Sequence, residues 1–138
     1  MLTNEVKEHI QSIYRQLLAS RDLIARYGQR KMIAEIANNL SVLENKEEGL
    51  PPICLIEAGT GTGKTLAYLL GVLPLAQKLG YKVVISTATV ALQEQVILKD
   101  IPEIIEGSDF KFKFALAKGR GRYLCLSKLN MLLEGSDS

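Results

Sequence analysis

Cysteine is scarce: the 138-residue chain has only Cys54 and Cys125. They stand far apart, without the paired spacing that would make a disulfide framework or a complete metal site. No apolar run reaches the length of a membrane span. The N-terminus, Met-Leu-Thr-Asn-Glu-Val-Lys-Glu-His, mixes both signs of charge before any apolar face, unlike a secretory signal. No internal repeat breaks the chain into units, and the expectation is a cytoplasmic protein with one compact core and no membrane partner. Cys54, inside Ile53-Cys54-Leu55-Ile56, reads as a buried small hydrophobe.

Acidic residues are also missing from one region. Residues 110–130 carry Lys111, Lys113, Lys118, Arg120, Arg122 and Lys128 with no Asp or Glu, a local charge of +6 in a chain whose net charge is +2. Such a cluster suits a polyanion, and equally a solvated surface loop. A third absence concerns strand ends. A nucleotide hydrolase needs an acidic strand end to hold Mg²⁺ and orient water. The strand-like runs here end in Glu57, in Ser86-Thr87 and in Ala117-Lys118-Gly119. Glu57 is too close to the following loop for that part, so the chain reads as part of a larger enzyme.

What is present is sharper. Ala58-Gly59-Thr60-Gly61-Thr62-Gly63-Lys64-Thr65 lies between an apolar strand-like run and an apolar helix-like run. Alternate glycines let backbone N–H groups approach phosphate oxygens. Lys64 supplies a charge for the β- and γ-phosphates, Thr65 a hydroxyl for Mg²⁺, and the next helix its positive N-terminal end. The reading is an ATP site with Mg²⁺, against the plainer one of a glycine-rich turn. Ala58 departs from the generic pattern, which starts with glycine.

Hydrophobic spacing predicts helices over about Asn4–Ala19, with Val6, Ile10, Ile13, Tyr14, Leu17 and Leu18 on one stripe, and through Met32, Ile33, Ile36, Ala37 and Leu40. Ser41–Pro52 reads as a surface loop. A long helix is expected from Lys64 to Leu79, kinked or restarted at Pro74 and capped by Gly80. Lys82–Thr87 reads as a buried parallel strand and Phe110–Leu116 as a further strand. Val90–Leu98, capped by Thr89 or a near neighbour, and Ser127–Leu133 complete the helices, and residues 135–138 read as a frayed end. The fold class is therefore α/β: a partial P-loop NTPase (RecA-like) domain with parallel strands flanked by helices, preceded by an N-terminal helical segment.

Four stretches together resemble superfamily two helicases of the DinG and XPD branch. Glu57 followed by Ala58–Thr65 resembles their first motif, where alanine at the first position is usual. Val84–Gln95 looks like their Ia motif, and Arg26-Tyr27-Gly28-Gln29-Arg30-Lys31-Met32 is similar to their Q motif, with Ala25 and Gly28 where prolines are frequent. Lys118-Gly119-Arg120-Gly121-Arg122-Tyr123-Leu124-Cys125 resembles the segment delivering the first iron–sulfur cysteine, in a form closer to DinG than to XPD. The resemblance covers about residues 21–129. It implies the N-terminal part of a 5′ to 3′ ATP-dependent DNA helicase acting in repair or replication on single-stranded DNA or an RNA–DNA hybrid. It divides the chain into residues 1–50 (N-terminal helices with the Q motif), 51–117 (first part of the motor domain) and 118–138 (start of the cluster segment).

The same resemblance implies that Gln29 reads adenine, with Arg26 in support or merely exposed. It implies that Thr87, Thr89 and Gln93 hold DNA phosphates, unless they serve only as strand-end and capping groups. Lys118, Arg120 and Arg122 would add charge. Cys125 would be one ligand of a 4Fe-4S cluster in the parent protein; the other ligands are absent, so no cluster is expected here. A stand-alone nucleotide or nucleic-acid binding module is the alternative, which explains the short length but not four helicase-like motifs in order.

Overall fold

The structure, a computed structural model, describes residues 2–44 and 51–135. Half of the expected loop 41–52 (residues 45–50) and all but Gly135 of the expected frayed end lie outside them. The helices follow the apolar spacing. α1 (Asn4–Ser20) buries Val6, Ile10, Ile13, Tyr14 and Leu17 along one stripe, with Leu18 at its margin. α2 (Tyr27–Leu40) buries Gln29, Met32, Ile33, Ile36 and Ala37. α3 (Lys64–Leu79) is buried at Ala67, Leu69, Leu70, Gly71, Pro74, Leu75 and Ala76, because α1 and α2 both pack against it.

α3 runs on through Pro74 rather than restarting there. The missing N–H costs one intrahelical bond, and full burial of the ring offsets that loss. Gly80 closes the helix as read from sequence, at φ +71°. Its N–H donates to Gln77 O at 3.2 Å and that of Tyr81 to Ala76 O at 2.8 Å, the paired bonds of a Schellman ending.

Thr89 caps α4 (Val90–Gln95), its Oγ1 accepting from Leu92 N at 3.2 Å. The helical path then outlasts the expected Leu98. A π-helical turn, Val96–Asp100, leads directly into α5 (Ile101–Gly107), with Pro102 in the first turn where no intrahelical N–H is required. α6 (Leu126–Glu134) matches the last expected helix and leaves Leu126, Met131 and Leu132 exposed.

The described residues contain no strand. Ile53–Ile56, Lys82–Thr87 and Phe110–Leu116 lie without backbone pairing, although each turns apolar residues onto the helices. Ile56, Ile85, Phe110 and Phe112 pack on the core, while Leu55 and Val84 are 97% and 90% exposed and Phe114 is exposed as well. A buried parallel strand needs cover on both faces and a ladder on both edges. These runs have helical cover on one face only. The period-two reading of Phe110, Phe112 and Phe114 survives as a row of rings, with centroids 5.2 and 6.4 Å apart. Cys54, expected to be buried, is exposed for the same reason. Between Lys82–Thr87 and Phe112–Ala117 runs an apolar groove of about 570 Å³.

Candidate functional site

The glycine-rich loop enters α3 with its backbone in the conformation its glycines allow. Gly61 and Gly63 have φ of +77° and +78°, a region strained for any residue with a Cβ. Ala58 has no such φ, and its side chain packs on the core, so alanine fits where the generic pattern has glycine. Lys64 Nζ donates to the carbonyls of Ala58 and Gly59, each at 2.8 Å, and Thr62 Oγ1 donates to Gly59 O at 2.8 Å. Thr60 is exposed. Thr65 is half-buried in the first turn of α3, beside the Tyr68 phenol. Burial pushes that phenol above its ordinary pKa, with the Thr65 hydrogen bond opposing and the Asp100 carboxylate adding to the rise.

The N-terminus of α2 holds this loop by its carbonyls. Arg26 Nη1 donates to Gly61 O at 2.7 Å, and Gln29 Nε2 to Gly63 O at 3.2 Å. In a trans peptide the carbonyl and the following N–H point in opposite directions. Pinning Gly61 O therefore aims the Thr62 N–H away from α2, and pinning Gly63 O does the same for Lys64. Gly63 O also accepts from Ala67 N at 3.0 Å, the first bond of α3. No side chain caps that helix among the described residues. A cradle of outward N–H groups at an open helix N-terminus fits a phosphate chain.

Gln29, expected to face a base, is 92% buried and already partnered: its Oε1 accepts from the Tyr14 hydroxyl at 2.9 Å. One amide N–H and one oxygen lone pair remain. Arg26 ties α2 to the loop instead of standing as an idle surface charge.

A second cluster joins segments far apart in sequence. Gln93, on α4, donates through Nε2 to Ala117 O at 3.2 Å and accepts through Oε1 from Arg122 Nη1 at 2.8 Å. Arg122 Nη2 also lies 3.8 Å from Glu94 Oε1. The Tyr123 hydroxyl accepts from Lys118 N at 2.9 Å, closing the basic segment into a turn with Arg120–Arg122. Lys118 and Arg120 are exposed, and Thr87 Oγ1 donates to Thr89 O at 3.3 Å. Gln93 thus joins the helix that Thr89 caps to the basic segment at Ala117 and Arg122. Glu94 and Tyr123 lie inside the family-like stretches, but no role was read for either. Tyr14 did carry a signal, since a tyrosine in an aliphatic stripe needs a partner for its hydroxyl once buried.

Residues 26–131 match the DEAD/DEAH box helicase family. The chain belongs to that family. It is 45% identical over 130 residues to an ATP-dependent DNA helicase DinG of Photobacterium profundum, a match covering 94% of this chain and 18% of that protein. It is 39% identical over 132 residues to the ATP-dependent DNA helicase DinG of Escherichia coli (95% and 18%). It is also 39% identical over 116 residues to an ATP-dependent helicase DinG of Mycobacterium tuberculosis (81% and 16%). The chain thus spans less than a fifth of the length of these relatives. The helicase-family assignment carries a RecA-like P-loop fold with it, and both the loop and its following helix are in place.

The family frame also sets what this chain can hold. Cys125 and Cys54 are both exposed thiols, and no group of three or more His, Cys, Asp or Glu among the described residues could hold a metal ion. A cluster requiring four thiolates does not fit the residues described. No helix among the described residues is long and apolar enough to cross a membrane.

Proposed function

We propose that the chain is the N-terminal part of a DinG-type DNA helicase, binding ATP with Mg²⁺ at Ala58–Thr65 and single-stranded DNA along Thr87–Gln93 and Lys118–Arg122. The observation that carries this is the loop held by its carbonyls from α2, in a chain of the helicase family. Bound ATP with Mg²⁺ would supply a phosphoanhydride for hydrolysis. Lys64 would leave the Ala58 and Gly59 carbonyls, both at the exposed surface, to neutralise the β- and γ-phosphates. The Thr65 hydroxyl would meet Mg²⁺, and the remaining Gln29 donor and acceptor would face adenine. Thr87, Thr89 and Gln93 would hold DNA phosphates without reading sequence, with Lys118, Arg120 and Arg122 adding charge.

On this reading residues 1–50 supply the Q motif, 51–117 the first part of motor domain 1, and 118–138 the start of the iron–sulfur segment. In the parent protein Cys125 contributes one cluster ligand. The parallel sheet is completed there by strands that pair with the open edges of Ile53–Ile56, Lys82–Thr87 and Phe110–Leu116, under cover on their open faces. The parent is a cytoplasmic 5′ to 3′ translocase acting on single strands, or on an RNA–DNA hybrid, in repair or replication. The family match over residues 26–131 does not favour a stand-alone binding module.

The test is nucleotide binding and turnover. The chain is expected to bind a fluorescent ATP analogue in the presence of Mg²⁺. Lys64→Ala is expected to weaken that binding by about 10- to 100-fold, the value of a charge-assisted hydrogen bond to phosphate. Equal affinity in the two proteins would remove the nucleotide site. Turnover is expected to be negligible, for want of an acidic strand end. A DNA-stimulated ATPase rate that disappears in Lys64→Ala would overturn that expectation.

A further inference from the structure

Tyr14 lies outside the helicase-family match, which begins at residue 26, yet it is two hydrogen bonds from the phosphate loop. Its ring is buried in the α1 stripe, and its hydroxyl donates to Gln29 Oε1 at 2.9 Å. The Gln29 amide in turn donates to Gly63 O at 3.2 Å. Only one amide orientation satisfies both neighbours. The Gly63 carbonyl can only accept, so the NH₂ must face it and Oε1 must face Tyr14, whose hydroxyl must then donate.

The fit at Gly63 is tight. A Cβ there would stand 2.0 Å from Gln29 Nε2, so the amide occupies the space a side chain would take. The Gly63 carbonyl shares its peptide plane with the Lys64 N–H, and tilting one tilts the other. Without the Tyr14 hydroxyl, Gln29 Oε1 is a buried acceptor with no donor, and the amide is released to rotate.

We infer that Tyr14 is a positioning residue for nucleotide binding: it locks the Gln29 amide and, through the Gly63 carbonyl, aims the Lys64 N–H at the phosphate chain. This rests on the nucleotide reading of the loop, but the relay itself can be tested without nucleotide. Tyr14→Phe deletes one hydroxyl and keeps the buried ring. In the 138-residue chain it is expected to weaken binding of a fluorescent ADP probe by about three- to tenfold, the effect of one buried hydrogen bond. In amide NMR spectra it is expected to shift the Gln29 side-chain and Lys64 backbone resonances. In a Gln29→Ala background, Tyr14→Phe is expected to change neither the probe affinity nor the Lys64 resonance.

Each outcome separates relay from scaffold. A Tyr14→Phe protein with a lower Tm but unchanged Gln29 and Lys64 resonances and unchanged probe affinity would make Tyr14 a packing residue only and overturn the inference. So would an equal loss of affinity in the Gln29→Ala background. If the unsubstituted chain binds no ADP, the nucleotide reading fails by itself, and unmoved resonances in Tyr14→Phe would then also sink the relay. Should Tyr14→Phe fail to fold, Gln29→Glu tests the same link. Its carboxylate still accepts from Tyr14 but repels the Gly63 carbonyl, and an unmoved Lys64 resonance there would be equally fatal.

Discussion

Glu44 is the residue on which the N-terminal end of the molecule closes. Its carboxylate accepts from Lys78 Nζ at 2.7 Å, from Thr3 Oγ1 at 2.6 Å and from Thr3 N at 3.1 Å, while Lys78 also reaches Glu5 at 2.8 Å. The Lys78 hydrogen bond, then that of Thr3, hold the Glu44 carboxyl down from 4.5 to about 2, against the cost of its burial. A pKa lowered by folding stabilises the folded state above the unfolded value, and that contribution is lost as pH falls from about 4.5 towards about 2. Lys78 is the mirror case: Glu44, then Glu5, raise its pKa, so its share holds at neutral pH and goes only in strong alkali. Urea midpoints measured from about pH 5 to about pH 3 are therefore expected to fall more steeply for the wild-type chain than for Glu44→Gln. Parallel slopes would show that the tie contributes nothing. None of this was legible in the sequence, because Thr3, Glu44 and Lys78 are brought together only by the docking of both α1 and α2 on α3. Ala58 was legible as the mark of the helicase form of the loop, and its backbone needs no special φ.

At the scale of elements, α2 and α3 approach closely because Gly71 has no side chain. A Cβ there would meet Ile36 Cβ and Cγ2, both at 2.8 Å, and Ile33 O at 3.3 Å. The first of these is the rigid base of a branched side chain and cannot rotate away. Gly71→Ala is thus expected to destabilise the chain: overpacking of about 3 kcal/mol outweighs about 1 kcal/mol gained in helix propensity, a net loss of about 2 kcal/mol by denaturant unfolding. A stabilised variant would mean that the α2–α3 packing yields freely. The ends of α1, α3 and α6 were readable to within a residue or so, and so were the Thr89 cap and the Gly80 ending, because caps and apolar stripes are local chemistry. The continuation into α5 was not. A π-turn shifts the apolar period between Val96 and Asp100, and no local pattern announces the shift. Ile53–Ile56 and Lys82–Thr87 were legible as apolar runs and Phe110–Leu116 as a period-two one, but strands are made by pairing, and pairing is not a property of one segment.

Across the whole molecule, the Ia-like helix and the basic segment meet through Gln93 and Arg122, 29 residues apart in the chain. If that face holds single-stranded DNA, binding is expected to be tolerant of sequence and to weaken with salt. Replacing Lys118, Arg120 and Arg122 together by alanine is expected to flatten the slope of log affinity against log salt by about 2, at roughly 0.7 for each phosphate left without its cation. Fluorescence anisotropy with a labelled oligonucleotide across a salt titration checks this, and coincident curves for the two proteins would rule the face out. The sequence by itself determined the phosphate loop, the helices that flank it, the family and the clustering of positive charge, since each is written in neighbouring residues or in fixed short spacings. Only the tertiary structure decided that Arg26 and Gln29 grip the loop by its carbonyls, that Tyr14 orients Gln29, and that Arg122 is tied to Gln93 and Glu94. The physical reason is that a hydrogen bond between distant residues depends on how helices pack, and packing direction is set by the whole buried surface at once.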